Sequence, residues 1–164
     1  MANFSFDVVS EYDKAEMNNV FDQVQREITA RYDFKGTPAE IDWLNDKTGF
    51  KITGNGDWQI DAILDITRKK LAARNQSQKV LDTTKDSNTS NLKTTKEVPF
   101  KQGLDQVKAK KITSVIREKF PKVKTQIQGD AVRVNSNSKN DLQDVMQLLR
   151  AQDYDFPLAF NNYR

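Results

Sequence analysis

Apolar and polar residues along the chain follow two periods, one of two residues and one of about 3.6 residues. The period of two predicts strands at 4–10, 79–84, 92–100 and 157–163, and hairpins at 39–54 and 123–135. The longer period predicts helices at 13–32, 57–75, 104–120 and around 142–149. The order strand, helix, hairpin, helix, strand therefore occurs twice.

The segment QIQGDAVRV, residues 126–134, predicts a hairpin that turns at its Gly-Asp pair. In this hairpin Ile127 opposes Val132 on one face, and Gln126 opposes Arg133 on the other. The first face is apolar and needs a covering layer. The second face is polar, and it is either solvated or part of a binding site.

The two halves of the chain keep the same apolar phase. FKITGNGDWQIDAILDITR (50–68) aligns with VRVNSNSKNDLQDVMQLLR (132–150), so that Ile52 coincides with Val134 and Ile63 with Val145. Two copies of a βαββαβ unit predict an α+β fold, a tandem of two ferredoxin-like domains. Each domain has a four-stranded antiparallel sheet with two helices on one face, and the other face is open.

Composition narrows the chemistry, because the 164 residues include no histidine and no cysteine. Triads that depend on histidine and sites that depend on thiolates are excluded, and no Walker A or dinucleotide-binding pattern is present. We therefore predict a non-enzymatic protein without a cofactor. The start MANFSFDVVSE has no signal-peptide pattern, and no apolar run approaches the roughly 20 residues of a membrane span. A cytoplasmic protein without a membrane partner is expected.

The charge is unevenly distributed, at roughly −7 over residues 1–65 and roughly +11 over residues 66–124. A basic region of this size attracts phosphate groups, although solvated lysines beside helices also explain it. The helix 104–120 and the adjacent hairpin hold most of the candidates. The predicted phosphate- and nucleotide-binding residues are Lys101, Lys108, Lys111, Lys124, Gln126, Gln128 and Arg133.

The open faces offer few rings for stacking on bases, unlike RNA-recognition motifs of the same plan. Trp43 and Phe50 are predicted on the helix-covered face of the first hairpin. Phe4 and Phe6 share a face of the first strand and are assigned to the core. Base recognition by the usual central-strand aromatics is therefore not expected.

Several segments together resemble the YajQ family of bacterial proteins, in the right order and over nearly the whole chain. They are SFDVVSE (5–11), RYDFKG (31–36), KQGLDQVKAKKI (101–112), QIQGDAVRV, DLQDVMQLLR (141–150) and PLAFNNYR (157–164).

The resemblance implies tandem ferredoxin-like, RNP-like domains that exchange their first strands. Residues 1–11 would then join 101–164 in one domain, and 92–100 would complete the sheet of a domain spanning 12–100. It also implies a nucleotide-binding protein with a regulatory role. The implied ligands are nucleoside triphosphates, RNA or tRNA, and cyclic di-GMP, and the implied protein partner is a transcription factor.

Two other functions remain open at this point. The protein could be an adaptor or transcriptional co-regulator whose open sheet faces bind proteins without a nucleotide. It could also be a hydrolase that uses only carboxylates and a divalent cation, with Asp42 or Asp130 as candidates, which ranks last. The sequence does not fix the ligand, the pocket, the oligomeric state or the regulated pathway.

Overall fold

The computed structural model describes residues 3–164. Eight strands and four α-helices, with three short 3₁₀ helices between them, make up the regular structure of this part of the chain, and the strands and α-helices are numbered here. In chain order they are β1 (Phe4–Val9), α1 (Lys14–Ala30), β2 (Glu40–Trp43), β3 (Gly49–Gly54), α2 (Asp57–Ala73), β4 (Asn88–Ser90), β5 (Lys93–Pro99), α3 (Gln106–Lys119), β6 (Lys124–Gln128), β7 (Ala131–Ser136), α4 (Lys139–Ala151) and β8 (Ala159–Asn161).

The strands form two four-stranded antiparallel sheets, ordered β6-β7-β1-β8 and β2-β3-β5-β4. Each sheet belongs to its own compact unit. The terminal unit joins the start of the chain, through Glu11, with Gln102–Arg164, and the central unit is Tyr12–Lys101. β1 lies inside the first sheet, and β5 holds the same interior position in the second. The fold is a tandem of ferredoxin-like α+β units, as the alternating pattern predicts.

The two helices of each unit cover one face of its sheet, because apolar side chains of the helices and strands share a core. In the central unit α1 and α2 pack on the strands through residues that include Val20, Val24, Ile60, Ile63, Phe50, Ile52 and Val98. In the terminal unit α3 and α4 do the same through Ile112, Ile116, Val145, Leu149, Phe6, Val8, Val132 and Val134. The face that the helices of a unit leave uncovered is called its open face.

The hairpin of β6 and β7 has the predicted register. Gln126 pairs with Arg133, and Ile127 pairs with Val132. Val132 is fully buried beneath the helices, whereas Ile127 is 41% exposed. The difference follows from position, because β6 is an edge strand and β7 is an interior one.

The strand predicted at 79–84 is wrong. The chain there forms a short 3₁₀ turn at Gln78–Val80 and then a single bridge between Leu81 and Phe100. After the bridge, the Asp82 carboxylate accepts hydrogen bonds from the N–H and hydroxyl of Thr84. The edge strand is instead β4, within the polar segment.

β4 and β5 are joined by a two-residue turn at Asn91 and Leu92, both with positive φ (51° and 67°). Positive φ at both central residues is typical of a type I′ turn, which usually carries Asn-Gly. The leucine conceals this turn in the sequence. Helix α3 also starts later than predicted, because the Asp105 carboxylate caps it by accepting from the N–H of Lys108 at 2.8 Å.

A candidate nucleotide site on the open face of the central unit

A cavity of about 860 Å³ lies on the open face of the central unit. Its floor is formed by neighbouring strands β2, β3 and β5, and one wall is the segment that enters β4. It is called the open-face cavity. Its polar lining residues are Asp42, Lys51, Thr95 and Glu97 on the strands, Asn45 and Thr48 between β2 and β3, and Lys85, Asp86 and Asn88 on the wall.

The floor of the cavity carries a row of alternating charges. In the register of the sheet Lys51 lies opposite Asp42 on β2 and opposite Glu97 on β5, so that a lysine stands between two acidic residues on one face. Asp42 also accepts a hydrogen bond from the N–H of Trp43 at 2.8 Å. Because all three charged side chains are exposed, they keep acceptors and a donor available for a ligand.

The wall of the cavity is fixed at two points. The hydroxyl of Ser87 donates to the carboxylate of Asp57, at the start of α2, over 2.6 Å. Hydrogen bonds from Thr84 lower the pKa of Asp82 below its usual value, with smaller contributions from the charges of Lys101 and Lys85. The first contact ties the polar segment to the start of α2, and the second fixes the chain locally between Asp82 and Thr84; Lys85 and Asp86, which lie between the two contacts, line the cavity.

Of the sequence-predicted residues, Lys101 belongs to the central unit, and its backbone N–H donates to the carbonyl of Val80 at 2.7 Å. The others lie on two sides of the sheet of the terminal unit. Lys108 and Lys111 project from α3, on the helix-covered side, where the ammonium of Lys108 lies 5.2 Å from the ring centroid of Phe156. On the open face lie Lys124, Gln126, Gln128 and Arg133. The lysines of α3 and the polar face of the hairpin therefore form two separate surfaces.

Arg133 is engaged by a carboxylate from the neighbouring strand. Its Nε donates to Asp7 Oδ1 at 2.9 Å and its Nη2 to Oδ2 at 3.4 Å, while Asn162 donates to Oδ2 at 2.8 Å. The hydrogen bond from Arg133 lowers the pKa of Asp7 below its usual value, against the opposing effect of burial, and the amide of Asn162 assists. The pair fixes the guanidinium group on the open face of the terminal unit.

Residues 3–164 offer neither a metal site nor a membrane span of the kinds described next. No group of three or more acidic, histidine or cysteine side chains is placed to hold a metal ion there, and Asp42 and Asp130 belong to no such group. None of the described helices combines the length and apolar character that crossing a membrane needs.

None of the seven residues predicted from charge lines the open-face cavity, and the sequence reasoning placed part of its floor on the open face without assigning a binding site there. Asp42 and Lys51 are predicted on the open face from the alternation of the hairpin, and they lie there. Lys85, Asp86 and Asn88 were missed, because their segment has no apolar period to place it. The available signal was the polar pair Asn88–Thr89 followed by Asn91. Asparagine tolerates a positive φ and often marks a turn.

Comparison with known proteins matches nearly the whole chain. The family model described as "Nucleotide-binding protein YajQ-like" matches residues 4–164. A nucleotide-binding protein of Nostoc punctiforme is 42% identical over 99% of both chains. Two further relatives named nucleotide-binding protein are each 43% identical to this chain. One, from a Nocardioides species, matches over 100% of both chains. The other, from Trichodesmium erythraeum, matches over 98% of this chain and 97% of its own.

Proposed function

The chain belongs to the YajQ-like family of nucleotide-binding proteins, and from this membership we propose that it binds a nucleotide in the open-face cavity. The observation that carries the proposal is the cavity itself. Its volume of about 860 Å³ falls in the range of small-molecule sites, roughly 300–1,000 Å³. It also places charged acceptors and donors from three neighbouring strands within one concave surface.

The charges of the cavity orient the ligand in this proposal. Three carboxylates, Asp42, Asp86 and Glu97, line it together with two lysines, Lys51 and Lys85. Carboxylates repel phosphate and accept hydrogen bonds from base N–H and ribose hydroxyl groups. The base and sugar therefore lie on the floor, with Lys51 donating to a base oxygen or nitrogen. The phosphates point to the mouth of the cavity, beside Lys85.

The residues predicted from charge remain part of the proposal as contacts for a longer ligand. Lys124, Gln126, Gln128 and Arg133 present polar groups along one face of a hairpin, and that face suits the phosphates of RNA or tRNA. Lys108 and Lys111 on α3, and Lys101 in the central unit, offer positive charge on separate surfaces. Affinity for RNA should then decrease with salt, by a slope of about −0.7 per neutralised phosphate on a single strand.

We propose a regulatory, non-enzymatic protein of the cytoplasm that works with a transcription factor. The ligands to compare are cyclic di-GMP, GTP, ATP and tRNA. Calorimetric titration with each is the test. Lys51→Met and Glu97→Gln should weaken binding of the preferred ligand about tenfold each, the loss of roughly one charge-assisted hydrogen bond. Lys69→Met, on an exposed part of α2, is the matched control and should bind as the wild type does. Equal affinity of all four proteins would refute the site.

The alternative is an adaptor that binds proteins through the polar open faces, which resemble wet interfaces in composition. The same titrations separate the two functions. If the protein binds a transcription factor but shows no detectable affinity for any of the four ligands, the adaptor function is established. Nucleotide binding that is sensitive to Lys51→Met would establish the proposed site instead.

A further inference from the structure

A second, smaller cavity lies in the terminal unit and shares no lining residue with the open-face cavity. Its volume is about 260 Å³, and it is bounded by the start of β1, the first turns of α4 and the residues that follow β8. It is called the edge groove. Two rings, two apolar side chains and two cations line it, namely Phe4, Tyr163, Leu142, Met146, Lys139 and Arg164.

A β-bulge directs Tyr163 into the groove. Asn161 pairs with Asp7, whereas Arg164 exchanges backbone hydrogen bonds with Ser5 at 3.0 and 3.3 Å. Three steps along the last strand thus match two steps along β1, and Asn162 absorbs the extra residue with a φ of 55°. Bulges of this kind redirect side chains, and here the tyrosine turns to the helix-covered side.

The ring of Tyr163 is held in place but remains open to solvent. It stacks on Phe6 with centroids 6.2 Å apart and ring planes 27° apart. Its hydroxyl donates to the sulfur of Met146 at 3.1 Å. Nevertheless 57% of the residue is exposed. The result is a rigid aromatic surface that a planar ligand can reach.

The charged side chains that line the groove are both positive. Lys139, the first residue of α4, places its ammonium 5.1 Å from the ring centroid of Phe4, and Arg164 lies at the other side. No aspartate or glutamate lines the groove in the described part of the chain. This contrasts with the open-face cavity, where carboxylates predominate.

We propose that the edge groove binds a nucleobase together with its attached phosphate. Exposed rings beside cations are how proteins hold unpaired bases, by stacking and by contact with the phosphate. The base stacks on Tyr163 against the apolar wall of Leu142 and Met146. Lys139 and Arg164 hold the phosphate, and the exposed amide of Gln143 is available to the base edge. The volume of the edge groove admits one base with part of its sugar, so the groove takes a single nucleotide unit.

Photo-crosslinking with 4-thiouridine tests this site. One arm uses free 4-thiouridine 5′-monophosphate, and the other uses a short single-stranded oligonucleotide that contains one 4-thiouridine. Mass spectrometry of digested protein should locate the crosslink at Phe4 or Tyr163. A crosslink in both arms assigns a free nucleotide as ligand, and one in the second arm alone assigns a nucleic acid strand.

Variants separate this site from the open-face cavity. Tyr163→Leu should lose most of the crosslink and Tyr163→Phe should retain it, because the ring rather than the hydroxyl carries the stacking. Lys139→Met should reduce it severalfold. Lys51→Met, and Tyr32→Leu at an exposed ring of the central unit, should leave it unchanged. Crosslinks confined to other residues, or an undiminished yield in Tyr163→Leu, would overturn the proposal.

Discussion

Arg133 and Asp7 form a two-pronged ion pair across neighbouring strands, although they lie 126 positions apart in sequence. Asp7 is almost completely buried, with 6% of the residue exposed, and the guanidinium is the main partner of its carboxylate. The pair therefore ties β1 to β7 inside the sheet of the terminal unit. It also means that one positive charge expected to meet phosphate is already largely compensated within the protein.

Acid should weaken the terminal unit through this pair. Because the pKa of Asp7 is lower in the folded protein than in the unfolded chain, its contribution to stability is present above the unfolded value. The contribution is lost as the pH falls below about 4 and through the folded pKa. Asp7→Asn should lower the Tm at neutral pH and flatten its decrease on acidification. Asp130→Asn, in the exposed hairpin turn, is the control, and a wild-type acid response in Asp7→Asn would contradict the pair's role.

The turn between β4 and β5 stores strain at Leu92, which has a φ of 67° and is 90% exposed. A left-handed conformation costs a residue with a Cβ atom about 1 kcal/mol or more, and the exposed side chain recovers nothing by packing. Leu92→Gly should therefore raise the free energy of unfolding by up to about 1 kcal/mol in urea titrations. Leu92→Ala keeps the Cβ atom and should show no such gain. Equal stabilisation by both variants would refute strain as the cause.

Gly49 is required by close contact between strands. A Cβ atom there would lie 2.5 Å from the carbonyl oxygen of Val98 and 2.6 Å from the Cα of Pro99. Because both are backbone atoms, they cannot move without displacing β5. Gly49→Ala should lower the free energy of unfolding by about 1–3 kcal/mol. Gly129→Asn has open space and a φ that Asn tolerates, so its effect on stability should be much smaller.

These elements show how far sequence reasoning extends. The register of the β6–β7 hairpin followed from alternation about Gly129 and Asp130, and the structure confirms it. β4 was missed because its three residues are exposed and polar, so no apolar period marks them. The bulge at Asn162 was also beyond prediction, since it depends on pairing with β1, at the other end of the chain.

The wall of the open-face cavity depends on the hydrogen bond between Ser87 and Asp57. Without it the segment around Lys85 and Asp86 should move away from the sheet more often. Ser87→Ala should weaken binding of the preferred nucleotide severalfold and speed amide hydrogen exchange over 84–90. Ser90→Ala, on exposed β4, is the matched control. Unchanged affinity together with faster exchange in Ser87→Ala would show that the wall does not contribute to binding.

The most direct test of the central proposal is a nuclear magnetic resonance titration of the isotope-labelled full chain with GTP and, separately, with cyclic di-GMP. Nucleotide binding in the open-face cavity predicts that one of them shifts the backbone amide signals of Asp42, Lys51, Thr95 and Glu97. Signals from the exposed face of α2, such as Lys69, should stay in place. Saturable shifts confined to other residues, or no shift with either nucleotide, would contradict the account.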